Sequence, residues 1–121
     1  MAAGFILQFD NTNITAYEGT VKALGQQIGS SDNWPTGLLS HVAGMSATTL
    51  CVVDVWESEA LFGKYRETRL VPAFVKTGMP APRITNFEVH NAVLQRSSTV
   101  DPVAGAGAKS TTRPGQAAIP R

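Results

Sequence analysis

Apolar and polar residues alternate over 4–10, with Phe5, Leu7 and Phe9 on one side and Ile6, Gln8 and Asp10 on the other. A period of two is that of a half-buried strand. Tyr17, Val21, Leu24 and Ile28 then recur at spacings of four, three and four, which is one apolar stripe of a helix. Thr15, with Glu18 three residues later, reads as a capping box at its start. Gly29 reads as its end. Residues 37–44 predict a short strand that holds His41, and 44–47 predict a turn. Residues 48–56, rich in β-branched side chains, predict the strongest strand. Ser58 predicts the cap of a second helix over 59–69, with Leu61, Phe62 and Tyr65 as its buried side. Pro72 kinks or restarts that helix, because its ring lacks an N–H and crowds the preceding turn. Gly78 ends it, 79–82 form an extended connector, and 83–91 form the last strand.

The order β-α-β-β-α-β is the split βαβ, or ferredoxin-like, arrangement. It predicts an α+β domain with one antiparallel sheet and both helices on one face. Alternation places Phe5, Leu7, Phe9, Cys51, Val53, Val55, Phe87 and Val89 under the helices, with Leu38 and Val42. The opposite set holds Ile6, Gln8, Asp10, Leu39, His41, Ala43, Leu50, Val52, Asp54, Trp56, Ile84, Asn86, Glu88 and His90. That set is half apolar and half polar. A cavity with a few convergent polar groups accounts for the mixture; a wet interface is the alternative. A sheet face left bare by the helices also predicts a symmetric homodimer.

Residues 97–121 contain no aromatic residue and no Leu, and consist mostly of Ala, Gly, Pro, Ser and Thr. Such a segment buries too little apolar surface to offset its ordering entropy. It predicts a flexible tail behind a domain spanning 1–96. The whole chain has 121 residues, enough for one domain. Charged residues make up only 16%, against about 25% in typical domains. Either part of the surface is covered by a second subunit, or the weakly charged tail dilutes the count.

The net charge is +1 and no basic run appears, which argues against nucleic acid as a partner. The first residues lack a positively charged segment and meet Gln8 and Asp10 early, unlike a signal peptide. No apolar stretch approaches the roughly 18 residues of a membrane span, so the expected location is the cytoplasm. Cys51 is alone in an apolar run, which predicts a buried, inert thiol and no disulfide. His41 and His90 stand too far apart for a metal-ligand spacing, and no nucleophile elbow or phosphate loop is present. No metal and no cofactor are therefore expected.

The strand Val52-Val53-Asp54-Val55-Trp56-Glu57-Ser58, running into an Ala60-Leu61-Phe62 helix, resembles the dimeric α+β barrel superfamily. Within it, the segment is similar to the antibiotic-biosynthesis-monooxygenase-like domains. The strand Gly37-Leu38-Leu39-Ser40-His41-Val42-Ala43-Gly44 fits actinobacterial members of uncertain function. The resemblance covers residues 4–92. It implies a homodimer with facing sheets and a small-molecule pocket. Some members oxygenate polyketide phenols or anthrones without metal or flavin; others degrade haem, or cyclise or isomerise small molecules. In the polyketide oxygenases an Asn stands four residues before the Trp and a Tyr six after it. Here those positions hold Val52 and Phe62, while Trp56 matches.

His41 and Asp54 lie on adjacent antiparallel strands. A carboxylate beside a histidine orients the ring and raises its basicity, as proton abstraction requires. The pair is the expected catalytic couple, or else a structural hydrogen bond. Trp56 is a stacking wall for a flat substrate, or else dimer core. Gln8, Asn86 and His90 are further candidates for binding substrate, and Trp34 for a lid over it. Tyr17 and Tyr65 lie on apolar stripes and read as core. The resulting expectation is a cofactor-independent enzyme on an aromatic or polyketide-like molecule, monooxygenase-like by resemblance. An acid–base cyclase, isomerase or dehydratase using His41 and Asp54 is the alternative, and a non-catalytic ligand-binding dimer the third.

Overall fold

The computed structural model describes residues 1–94. The elements run β1 (Ala3–Phe9), α1 (Ile14–Ala23), β2 (Leu38–Ser46), β3 (Thr49–Trp56), α2 (Glu59–Tyr65), α3 (Val71–Thr77) and β4 (Arg83–Glu88). The strands form one sheet in the order β2-β3-β1-β4, and every neighbouring pair is antiparallel. This is the ferredoxin-like α+β arrangement that the order of elements predicts. The tail over 97–121 lies outside the described residues.

The helices begin and end for local reasons. Asn13, not Thr15, caps α1: its side chain accepts the Ala16 N–H at 2.9 Å. The helix stops at Ala23, well short of Gly29, because Gly25 turns left-handed at φ +75°. Ile28 therefore leaves the stripe and is exposed, and the buried face of α1 is Thr20, Val21 and Leu24. Ser58 caps α2 as expected, accepting from the Leu61 N–H. Between α2 and α3 the chain makes one widened turn over Arg66–Leu70, in which the Val71 N–H donates to the Arg66 carbonyl five residues back. Pro72 follows at once. An α-helical turn would press its ring against the carbonyl four residues earlier, and the wider turn relieves that clash.

β2 and β3 form a hairpin closed by two residues, Ala47 and Thr48, after Ser46 pairs with Thr49. Ala47 sits at φ +53°, a conformation that non-glycine residues seldom adopt. β2 thus runs two residues past its expected end at Gly44, into the expected turn, and β4 ends at Glu88, short of residue 91.

The faces of the sheet correct the alternation reading. Residues directly opposite in an antiparallel ladder share a face. Phe5 pairs with Asp54, Leu7 with Val52, Phe9 with Leu50 and Ala3 with Trp56. Leu50, Val52, Asp54 and Trp56 therefore lie under the helices with the β1 phenylalanines, and all are buried. Cys51, Val53, Val55 and Phe87, expected there, lie on the open face with Gly4, Ile6 and Gln8. Cys51 is consequently only half-buried. Asp54 misled the pattern, because a carboxylate in the middle of a strand reads as solvent-facing and here it faces the core.

In β2 the alternation is broken by a bulge. Leu38 pairs with Trp56 and Ser40 with Val55, so one extra residue is inserted. Leu38 and His41, three apart, both face the helices, while Val42 turns to the open side and is 67% exposed. The core lies between sheet and helices. Phe5 stacks on Phe62 at 4.0 Å between ring centroids, Trp56 meets Phe62 edge-on, and Phe9 meets Phe74 edge-on. No described helix is long and apolar enough to cross a membrane.

Candidate active site

His41 and Asp54 are cross-strand partners in the β2–β3 ladder. The His41 Nδ1 lies 2.7 Å from Asp54 Oδ1. The second carboxylate oxygen, Oδ2, accepts the Trp56 indole N–H at 3.3 Å. On the far side of the imidazole, Nε2 lies 2.7 Å from the Tyr17 hydroxyl, which reaches down from α1. The rings of Tyr17 and His41 are nearly parallel, 10° apart. Four side chains from three elements thus form one chain, Tyr17–His41–Asp54–Trp56, in the layer between helices and sheet.

The donors along this chain follow from valence. A carboxylate only accepts, so the proton on the Asp54 side belongs to Nδ1. In the neutral ring Nε2 then accepts, and the Tyr17 hydroxyl donates to it. Burial, with the nearby Asp54 charge, pushes the Tyr17 phenol up to about 12, so it keeps its proton at neutral pH. Asp54 is almost wholly buried, whereas the side chain of His41, on the edge strand β2, retains 29% of its exposure.

The other predicted site residues are dispersed. Trp56 is completely enclosed, with Phe62, Tyr65 and Asp54 around its indole. It is part of the core and has no ring face open as a stacking wall. Gln8 is on the opposite face of the sheet, where its side chain accepts from Arg83 Nη1. That arginine also pairs with Asp10 and holds its exposed carboxyl below the ordinary value. Asn86 lies on the helix side of β4 and donates to Glu59 at 2.6 Å, away from His41. His90 is exposed beyond the end of β4. Trp34 is half-buried in the α1–β2 loop, where its backbone N–H donates to Ser31.

Tyr17 is the member that the apolar stripe concealed. Helical spacing marks it as facing the core but cannot show that a histidine waits there. A cleft of about 260 Å³ lies elsewhere, between α3 and the β1–β4 side of the sheet. Leu7, Phe74, Met79 and Ile84 line it, with Arg66 as its charged residue and no His, Asp or Glu. Among the described residues no cluster of three His, Cys, Asp or Glu side chains is arranged to hold a metal.

No family model and no curated protein sequence matches the chain. Solved structures do match in fold. A protein of unknown function from Nitrosomonas europaea aligns with a TM-score of 0.60 at 16% identity, covering 78% of this chain and 94% of its own. SnoaB, a cofactor-independent oxygenase from Streptomyces nogalater, aligns with a TM-score of 0.54 at 10% identity, covering 78% and 98%. The ActVA-Orf6 monooxygenase of Streptomyces coelicolor, solved in complex with nanaomycin D, aligns with a TM-score of 0.52 at 18% identity, covering 78% and 92%. The chain has the fold of the antibiotic-biosynthesis-monooxygenase-like domains that its sequence resembles.

Proposed function

We propose that the protein is a cofactor-independent enzyme acting on an aromatic or polyketide-like small molecule, and that His41 with Asp54 moves a proton of the substrate. One observation carries this reading: an imidazole held in a single orientation by a buried carboxylate, with its other nitrogen turned to a phenol at the partly open β2 edge. A histidine so placed is oriented for proton transfer, and its cationic form is stabilised by the carboxylate. The shared fold with SnoaB and ActVA-Orf6 supports a substrate of this class.

Oxygenation and acid–base chemistry have the same first step. Removing a proton from the methylene of an anthrone-like ring leaves an electron-rich carbanion. Dioxygen can take electrons from that carbanion, and the methylene becomes a carbonyl as one oxygen atom leaves as water. Alternatively the proton returns to a different atom, which is isomerisation or the closing step of a cyclisation. Val52 and Phe62, standing where the polyketide oxygenases carry Asn and Tyr, favour the second outcome. A second copy of the chain over the open sheet face completes the proposal, because Val42, Val53 and Phe87 leave that face apolar and exposed.

Dithranol, an anthrone that also autoxidises by itself, serves as the probe against a protein-free control. Incubated in heavy water, it should exchange its methylene hydrogens faster with the protein than without it. Oxygen uptake beside that exchange identifies an oxygenase, and exchange alone identifies acid–base chemistry. His41→Ala and Asp54→Asn should lower the rate by about 10²–10⁴-fold, the usual contribution of a positioned base. Binding without exchange or oxygen uptake would leave a ligand-binding dimer as the function.

A further inference from the structure

We infer that the Tyr17 hydroxyl is the group that meets the substrate, and that His41 and Asp54 work behind it as a proton relay. The inference rests on the acid–base reading of this site and adds the reacting atom to it.

The reason lies in the occupancy of the imidazole. Nδ1 is engaged by Asp54 and Nε2 by Tyr17, both at 2.7 Å. Neither ring nitrogen is left to touch a ligand. The next atom along the chain of hydrogen bonds is the Tyr17 oxygen, on a side chain that is itself only half-buried. Among the described residues its one hydrogen-bond partner is His41, which leaves it a second lone pair. The chain's other tyrosine provides the contrast. The Tyr65 hydroxyl is taken up by the Gln26 amide at 2.9 Å, and among the described residues no ionisable group that could exchange its proton is bonded to it.

The relay has two settings. With the imidazole neutral, Tyr17 donates to Nε2 and presents a lone pair outward, so it accepts a proton from the substrate as its own passes to Nε2. The imidazolium that results is held by Asp54. It then donates from Nε2 to the Tyr17 oxygen, and the phenol O–H points outward as a donor. The same oxygen is therefore an acceptor before the transfer and a donor after it. An enzyme that lifts a proton from one atom and returns it to another needs this reversal. The raised phenol pKa is consistent with it, since Tyr17 does not ionise by itself at neutral pH and loses its proton only as another arrives.

The test needs no knowledge of the substrate. An aryl sulfonyl fluoride reacts with a phenol when the oxygen attacks sulfur, fluoride leaves, and a base removes the phenolic proton. Here His41 Nε2 is that base, and it passes the proton on to water. The full-length protein is treated with 4-(aminoethyl)benzenesulfonyl fluoride at neutral pH, and each tyrosine peptide is followed by mass spectrometry. Tyr17 should be labelled faster than Tyr65. His41→Phe should slow Tyr17 labelling by about 10²-fold, the low end of general-base assistance, while Tyr65 is unaffected. If His41→Phe does not fold, Asp54→Asn gives the same comparison, with a smaller loss expected. Tyr17 labelling no faster than that of Tyr65, or insensitive to both substitutions, overturns the relay. Proton exchange on dithranol that still depends on His41 would then show that the acid–base reading survives without Tyr17.

Discussion

Across the β2–β3 ladder, His41 and Asp54 are register partners as well as hydrogen-bond partners, joined at 2.7 Å. The backbone alone fixes their separation, so neither side chain needs a long reach. Asp54 also accepts from Trp56, which makes it the shared acceptor of a buried indole and a half-buried imidazole. Asp54→Leu leaves both donors without their acceptor, at about 1–3 kcal/mol for the buried indole and less for the half-buried imidazole. His41→Phe leaves the carboxylate unpaired. The double variant should cost less than the sum of the two single variants, because it removes both ends of the bond. Urea denaturation of the four proteins measures the difference.

Trp56 is expected to behave as core. With the indole fully buried against Phe62 and Tyr65, Trp56→Ala should destabilise the domain by about 3–5 kcal/mol. Thermal melting will show this directly. A variant that kept wild-type stability and lost only ligand affinity would return Trp56 to the binding surface.

Both tyrosines of the chain should titrate late. Burial raises Tyr17 to about 12. Burial likewise raises Tyr65 above its ordinary value. In each case the folded value exceeds the unfolded value of 10.0. The stabilisation is therefore complete below pH 10.0 and is lost as the pH climbs through the folded values. Phenolate absorbance should rise together with alkaline unfolding, and Tyr17→Phe should move the onset of unfolding to higher pH.

The hairpin turn holds a correctable strain. Ala47 occupies φ +53°, where its Cβ is crowded. Ala47→Gly should stabilise the protein by up to about 1 kcal/mol, the glycine's extra unfolded-state freedom offsetting part of the relief. Chemical denaturation is the measurement, and an unchanged or lower midpoint would count against strain at this turn.

The open face should carry the dimer. Val42 and Val53 are directly paired across β2 and β3, and both are exposed there. Burying such side chains contributes about 1.5–3 kcal/mol each before the cost of association. Light scattering should give a dimer mass for the wild type and a monomer mass for Val42→Lys with Val53→Lys. A wild-type monomer at every concentration would remove the dimer from the proposal.

The fold was legible because its signals are local. Ser58 before an apolar run, Gly78 behind one, and β-branched density over 48–56 each act within a few residues. The cross-strand couple of His41 and Asp54 was legible as well, because adjacent antiparallel strands admit few registers. Which face the couple occupies was not. Asp54 and Cys51 invert the expected polarity of β3, and only the pairing of Phe5 with Asp54 reveals it. Tyr17 was hidden for a related reason. A tyrosine on an apolar stripe looks the same whether it meets a leucine or an imidazole, and the difference lies on a strand more than twenty residues away.

The bulge between Leu38 and Ser40 makes the position of His41 a matter of parity. In a strand each residue added or removed exchanges inside for outside, so an odd insertion upstream is what delivers the imidazole to the helix layer while Leu38 stays there too. Deleting Leu39 would close the bulge into an unbroken ladder that keeps Leu38 on Trp56 and His41 on Asp54. Such a deletion changes no group in the relay. It should leave the site connected, whereas flattening the bulge without losing a residue would turn either Leu38 or His41 to the open face, so the proposed chemistry depends on the spacing of residues along a strand as well as on their identity.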